Sequence, residues 1–494
     1  MMKLPLLLLL LLLPRPGHTA AADSTQPRVL TLAEAIRLAQ EHSAEARSAR
    51  HNYRTAYWNY RSFRANYLPS LQLKSSPYLN RQINRVTQPD GTQRFLSQNL
   101  LSTDLALEVS QNVWLTGGSL SLQTSLNRLD ELKLGTKEYN AQPISVGYQQ
   151  SLFGHNAQKW ERRIEPVRFS EARKSYAETL ELVASHTCTY FFRLATAQNN
   201  LEIARANSAS ADTLYRYARG RYRAGSISEN EMLQLEVNQL SEETNVMSAQ
   251  MEVDDAMQEF RSFLGLADGI ALRVTATDSI TPFEVDPAEA VRLAYANSPE
   301  PETFQLRRLE GRRQVSVAKA ERRLKADLYL QFGLSQTSSL LEDTYRHPSQ
   351  QLYASISVVI PLLDWGKARG KVKMAESQNE LTEMQVVQAQ ADFEQNVRKM
   401  TRQFNLQARQ LHVATRRRQT AQRRYEVALK LYLAGKSSLL DLNAAIQEKD
   451  TAQRGYIGTL STYWSLYYGL RSMTQYDFER KCALEHTLEL PVED

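Results

Sequence analysis

The chain is written twice, and that duplication limits what it can fold into. Leu32-Ala33-Glu34-Ala35-Ile36-Arg37-Leu38-Ala39 returns as Pro287-Ala288-Glu289-Ala290-Val291-Arg292-Leu293-Ala294. Tyr222-Arg223-Ala224-Gly225-Ser226 is echoed by Tyr432-Leu433-Ala434-Gly435-Lys436, and Leu264-Gly265-Leu266 by Tyr468-Gly469-Leu470. A repeat of this length means one structural plan used two times, so the 494 residues read as one duplicated unit rather than several independent domains. Both copies open with helix-start signals. Thr31 with Glu34 spells a capping box, while Asp286, Pro287 and Glu289 supply a cap, a first-turn proline and an N3 acid. Each half then runs in the same order: helix, alternating segments, long helix, glycine turn, helix.

The alternating segments have a period of two. Leu105, Leu107 and Val109 alternate with Ala106, Glu108 and Ser110; Leu120 and Leu122 with Ser119, Ser121 and Gln123. Ile144, Val146 and Tyr148 alternate with Ser145 and Gly147. In the second half Leu328, Leu330, Phe332 and Leu334 alternate with Tyr329, Gln331, Gly333 and Ser335, and Ile356 and Val358 with Ser355 and Ser357. One face is apolar and the other small and polar. Two readings fit: strands half-buried on a soluble core, or barrel strands with lipid on one side and a wet lumen on the other.

The helical segments have a different period. Tyr176, Leu180, Val183, Thr187, Tyr190, Leu194, Ala197, Leu201, Ala204, Ser208, Ala211, Tyr215, Ala218 and Tyr222 follow one another at spacings of four and three. That heptad implies left-handed supercoiling, and its many small residues allow close helix approach. The spans 155–222 and 364–432 each predict a helix on the order of 100 Å long. The other four helices (about 31–67, 227–264, 286–325 and 437–470) are roughly half that length, so two short ones laid end to end match one long one. Such rods do not fit a compact globule; they fit the wall of a cylinder. Gly (19) and Pro (16) are scarce, as few turns require. Four to six strands cannot close a barrel around a pore, and unpaired edges are not tolerated in lipid, so several chains must contribute to one barrel.

Residues 1–22 have the build of a secretory signal. Lys3 precedes the eight leucines Leu6–Leu13, Pro14 and Pro16 break the run, and Ala20-Ala21-Ala22 offers a cleavage site. Eight residues are too few to span a bilayer, so the segment is expected to be removed and the protein exported. The net charge of +6 comes from Lys and Arg interleaved with acids along helices, a solvated pattern rather than a nucleic-acid stripe. Cys188 and Cys482 stand far apart, with no cluster that would hold a metal. The eight His residues form no catalytic or metal motif, and no Gly-rich phosphate loop is present, so neither enzyme nor cofactor is expected.

From about residue 30 to residue 470 the chain resembles the TolC family of outer-membrane efflux channels. The opening Leu32-Ala33-Glu34-Ala35 with its repeat copy, Tyr67-Leu68-Pro69-Ser70-Leu71 and Pro361-Leu362-Leu363-Asp364-Trp365-Gly366 carry the resemblance. It implies a mainly α fold with a β-barrel part: a homotrimeric β-barrel in the outer membrane that continues as an α-helical, coiled-coil tunnel across the periplasm. In these terms 23–280 is the first repeat, with strands at about 68–153, and 281–471 the second, with strands at about 326–361; 472–494 is a tail. The implied partners are a periplasmic adaptor and an inner-membrane pump, in a tripartite efflux or type I secretion system. A first half with two crossings more than the family's usual pair gives six strands per chain: 70–76 outward, 77–103 as a long external loop, 104–113 returning, a turn at Gly117-Gly118, then 118–128 and 144–152.

The same resemblance assigns candidate residues. Ala224, Gly225, Ser226, Ala434, Gly435 and Lys436 would form the tips that dock the adaptor; glycine also serves simple turn geometry there. Glu231 and Asp441, six residues after each glycine, would ring the narrow end of the tunnel and select cations; the alternative is an ordinary solvated helix charge. Tyr432 matches a gate tyrosine. Two positions depart from the family pattern: Ala444 stands where a second acid is expected and Ser437 where a basic gate partner is. Trp114, Phe153, Trp160 and Trp365 sit where strands meet helices, either as anchors at the lipid interface or as packing at the junction. A reading from another class is a non-pore periplasmic coiled-coil scaffold or adaptor.

Overall fold

A computed structural model describes residues 28–267, 271–275, 283–434 and 436–484. In chain order the elements are β1 (Arg28–Thr31), α1 (Leu32–His42), α2 (Ala44–Ala65), β2 (Ser70–Lys74), β3 (Tyr78–Thr87), β4 (Gln93–Val113), β5 (Gly118–Glu131), β6 (Thr136–Ser151), α3 (Ala157–Arg223), α4 (Glu229–Leu264), β7 (Leu272–Thr275), α5 (Pro287–Asn297), α6 (Glu300–Arg322), β8 (Lys325–Ser338), β9 (Ser349–Val359), α7 (Lys367–Leu433), α8 (Leu439–Thr474), β10 (Tyr476–Asp477) and β11 (Cys482–Ala483). The signal-like residues 1–22 lie outside the described residues. The compact units do not follow the repeat boundary near residue 280: one is 1–38 with 189–280, the other 39–188 with 281–494.

The first unit is a helical hairpin with a small parallel strand pair. Along α3, Leu194, Ala197, Leu201, Ala204, Ala211 and Ala218 of the heptad are buried. On α4, Ala249, Val253, Ala256, Phe260 and Leu264 form the answering stripe. Tyr190 stacks on Phe263 with centroids 4.6 Å apart, and Phe191 meets Phe260 edge-on at 6.3 Å. Ala and Ser at alternate layers let the backbones approach, and the aromatic layers fill the wider gaps. β1 pairs in parallel with β7, a contact that four-residue segments do not announce in sequence. The Gln198 side chain binds β7 from the helix, donating to the Leu272 carbonyl at 3.2 Å and accepting from the Val274 N–H at 3.2 Å.

The second unit holds the large sheet and the remaining helices. Its strands run in the order β2-β4-β5-β6-β8-β9, with β3 also paired to β4. β2 and β3 are one line broken at Pro77, because both keep the same register on β4: Lys74 faces Ala106 and Tyr78 faces Ser102. This corrects the external loop expected over 77–103. Residues 78–87 and 93–102 form a hairpin closed at Pro89-Asp90-Gly91, where Gly91 has φ 81°. Period-two hydrophobicity marks a strand only where its two faces meet different media, and here both faces mix apolar residues such as Leu79, Ile83 and Phe95 with polar ones such as Arg81, Arg85 and Asn99.

Two of the four expected half-length helices are split, while α4 and α8 run unbroken. Ser43, fully buried, ends α1 and caps α2 by accepting from the Ala46 N–H at 3.1 Å. Ser298-Pro299 separates α5 from α6. Tyr53, Tyr57 and Tyr60 of α2 gather around Phe169 of α3, with Tyr60 stacked on it at 4.7 Å. α7 runs 67 residues, about 100 Å, and packs on α8 through Phe404, Tyr463 and Tyr467. Residues 476–484, expected only as tail, include the hairpin β10–β11. Its buried Asp477 is held by Arg471 Nη1 at 3.0 Å and by the Tyr467 hydroxyl at 2.8 Å, while Arg471 also binds buried Glu181 of α3.

Candidate channel site

The sheet sorts its side chains by row. Leu71, Val109, Leu122, Val146, Phe332 and Leu352 face one another in succession from β2 to β9. One residue along each strand, the row is Gln72, Glu108, Gln123, Ser145, Gly333 and Gln351. Directly opposed residues share a face, so one side is apolar across six strands and the other polar. The apolar side covers no core: Leu71, Leu107, Leu122, Val146, Phe332, Leu352 and Ile356 are 41–75 % exposed. That exposure favours a lipid-facing surface over a strand half-buried on a soluble core. Pro143 inside β6 sits where the pairing with β5 and β8 skips a residue, a bulge that absorbs its missing N–H. On the polar side Gly333 lets β6 come close; a Cβ there would lie 2.7 Å from the Ile144 carbonyl. Among the described residues the two outer strands of the path, β2 and β9, each have one unpaired edge in the single chain.

The glycine turns are built from helix caps. After α3, the Ser226 N–H donates to the Arg221 carbonyl at 2.8 Å and the Gly225 N–H to Tyr222 at 2.9 Å, with Gly225 at φ 70°. This six-to-one and five-to-two pair is a Schellman cap, which needs left-handed backbone at the glycine. Ser228 then caps α4 by accepting from the Glu231 N–H at 3.2 Å. In the other copy the Lys436 N–H donates to Leu431 at 2.9 Å, and Ser438 opens α8. Gly435 lies outside the described residues. Ala224, Ser226, Ala434 and Lys436 are exposed.

Glu231 and Asp441 therefore both occupy the N3 position of a cap. Asp441 completes a full capping box: the Ser438 hydroxyl donates to its carboxylate at 2.6 Å, the Ser438 N–H donates at 3.3 Å, and its own N–H donates back to Ser438 Oγ at 3.2 Å. Those bonds, the hydroxyl's first, hold the Asp441 carboxyl below its usual range. The Ser-x-x-Glu and Ser-x-x-Asp spacings were there to be read as capping signals. Tyr432 is buried, 8 % exposed.

The aromatics form two groups. Trp114, Phe153 and Trp160 gather where β4, β5 and β6 reach α3. Arg162 lies 3.8 Å over the Trp114 ring, and Asn156 Nδ2 donates to the Trp114 carbonyl at 3.1 Å. Trp365 stands apart before α7, 91 % exposed and at φ 53°. Beside it Asp364, which the candidate residues omitted, caps α7. Its carboxylate accepts from Ala368 N–H at 2.8 Å and Gly366 N–H at 2.9 Å, in that order the causes of its lowered pKa.

Long paired helices, and a sheet that is apolar on one side and polar on the other, are the parts expected of an outer-membrane efflux channel. The family model for outer membrane efflux proteins matches residues 115–266 and 290–463. The chain belongs to the outer membrane efflux protein family. Among solved structures it is similar to the Campylobacter jejuni CmeC outer membrane channel, at 16 % identity and TM-score 0.65 over 90 % of this chain and 85 % of that one. It is also similar to the outer membrane protein VceC of Vibrio cholerae, at 13 % identity and TM-score 0.64 over 92 % and 97 %. The open-state MtrE channel of Neisseria gonorrhoeae matches at 12 % identity and TM-score 0.59 over 92 % and 90 %. No curated protein matches the sequence significantly.

Proposed function

We propose that three copies of this chain join their sheets edge to edge, β9 of one to β2 of the next, into a single β-barrel in the outer membrane. The continuous apolar row ending in two free edges carries this reading. An unpaired edge in lipid would leave a line of N–H and C=O groups unsatisfied, at several kcal/mol each. Six strands from each of three chains make a barrel of eighteen, apolar outside and lined by the Ser, Gln and Gly rows. The paired helices continue it as a tunnel through the periplasm. The protein is then the passive exit duct of a tripartite efflux pump or type I secretion system, with its signal peptide removed on export. Energy comes from an inner-membrane pump reached through a periplasmic adaptor, which docks on Ala224, Gly225, Ser226, Ala434, Gly435 and Lys436. Glu231, Asp441 and Tyr432 line the narrow end, which opens and closes as an iris.

Planar-bilayer recording on detergent-extracted protein tests the duct. Discrete, cation-preferring conductance steps from a heat-modifiable trimer are expected, with Asp441→Asn lowering the cation preference. A salt-extractable protein without conductance would instead be a periplasmic scaffold. Unchanged selectivity in Asp441→Asn would take that carboxylate out of the constriction and leave it only its capping role.

A further inference from the structure

A cavity of about 470 Å3 opens where β6 passes into α3, between α3 and α6. Its charged wall consists of Lys159 and Arg163 from α3 with Arg312, Lys319 and Arg323 from α6 and its C-terminal end; among the described residues no Asp or Glu lines it. Two of these cations are partly satisfied outside the cavity: Lys319 pairs with Glu376 at 3.1 Å and Arg312 with Glu383 at 3.3 Å. Lys159, Arg163 and Arg323 have no ion pair among the described residues. Five like charges around one hollow repel one another, a cost that a bound anion removes.

The cavity also has an apolar side. Trp160 lies in its wall, with the Arg163 guanidinium 5.7 Å from the ring centroid and the His155 ring stacked at 6.4 Å. Burial, then Arg313, lowers the His155 pKa, so the imidazole adds a neutral polar edge, 3.2 Å from Ser316 Oγ, rather than a sixth charge. Leu152 and Phe153, each 47 % exposed, link the cavity to the end of β6. If the sheet's apolar face lies in lipid, this places cations and a tryptophan at the level of the inner headgroups. A phosphate then meets the charges while the acyl chains continue along the strands.

We propose that this cavity binds the phosphate of an anionic phospholipid of the periplasmic leaflet, with Lys159, Arg163 and Arg323 as its contacts and Trp160 against the glycerol and upper chains. The proposal rests on the membrane reading above. Native mass spectrometry of the full-length protein in detergent, titrated with phosphatidylglycerol, phosphatidylcholine or inorganic phosphate, tests it without requiring conductance. Retention of phosphatidylglycerol over phosphatidylcholine is expected. The double variant Arg163→Gln/Arg323→Gln, or separately Lys159→Gln, should weaken it about tenfold, while Arg219→Gln/Arg221→Gln near the far end of α3 should not. Equal retention of the two lipids, or unchanged affinity in both cavity variants, would overturn the proposal. Displacement of the lipid by inorganic phosphate at comparable concentration would overturn the lipid as the ligand's source. Binding without conductance would contradict the duct and leave the cavity standing; conductance without binding would do the reverse.

Discussion

Burial, and after it the nearby Glu300 and Glu171, push the Glu178 carboxyl up to about 7. Its unfolded value is near 4.5, so between about pH 4.5 and 7 the folded chain holds a proton that the unfolded chain has lost. Stability from this group therefore falls as pH rises through that window. Glu178→Gln is expected to raise the melting temperature at pH 8, by about 1 kcal/mol of stability once partial exposure is allowed for. At pH 4.5 the two proteins should melt together; a difference unchanged between the two pH values would contradict this. Other single residues show where sequence reading stops. Trp365 was legible as a boundary aromatic, but nothing in sequence indicates its left-handed backbone, which disfavours a bulky side chain by about 1–2 kcal/mol. The Arg471 cluster was not legible at all, because Glu181, which anchors it beside Asp477, lies 290 residues away in the chain.

Elements were legible where physics imposes a strict period. The heptad gave α3 to within a residue or two, because a buried seam every 3.5 residues cannot be disguised. The alternating strands were likewise visible in the apolar band and lost in the β3–β4 hairpin, where each face mixes apolar and polar residues. The splits at Ser43, a buried cap, and at Ser298-Pro299 went unread because each interrupts the helical pattern for only a residue or two. The α3–α4 turn separates shape from recognition. Ser228→Ala should cost about 1 kcal/mol of local helix stability yet leave adaptor binding intact, since that side chain faces its own helix end. Ala224→Asp with Ser226→Glu leaves the Schellman bonds in place and changes only exposed side chains. Co-purification of the adaptor should fall at least about fivefold in this pair, which is roughly 1 kcal/mol; undiminished recovery would remove the turn from the docking surface.

For the whole molecule, mean hydropathy is a poor guide. A value of −0.48 describes a chain in which only one face of each strand avoids water and the long helices are wetted. The duplication foretold two sets of strands and two helical hairpins, but not that the compact units cut across the repeat. The reason is physical: α3 is a single rod whose two halves pack in different units, so a boundary in sequence is not a boundary in contacts. Assembly showed in the sequence only as too few strands to close a barrel; the strand order adds which two strands, β2 and β9, stand as edges at the ends of the path.

Closure of those edges is tested most directly by cross-linking. In a Cys482→Ser background, Gln72→Cys on β2 is combined in turn with Gln351→Cys, Tyr353→Cys or Ser355→Cys on β9, all on the polar face of the sheet. Oxidation in native membranes should give at least one pairing that yields monomer, dimer and trimer bands and nothing larger, with conductance retained. Absence of any cross-linked trimer across all three pairings, in protein that is folded and membrane-embedded, would contradict a barrel shared by three chains.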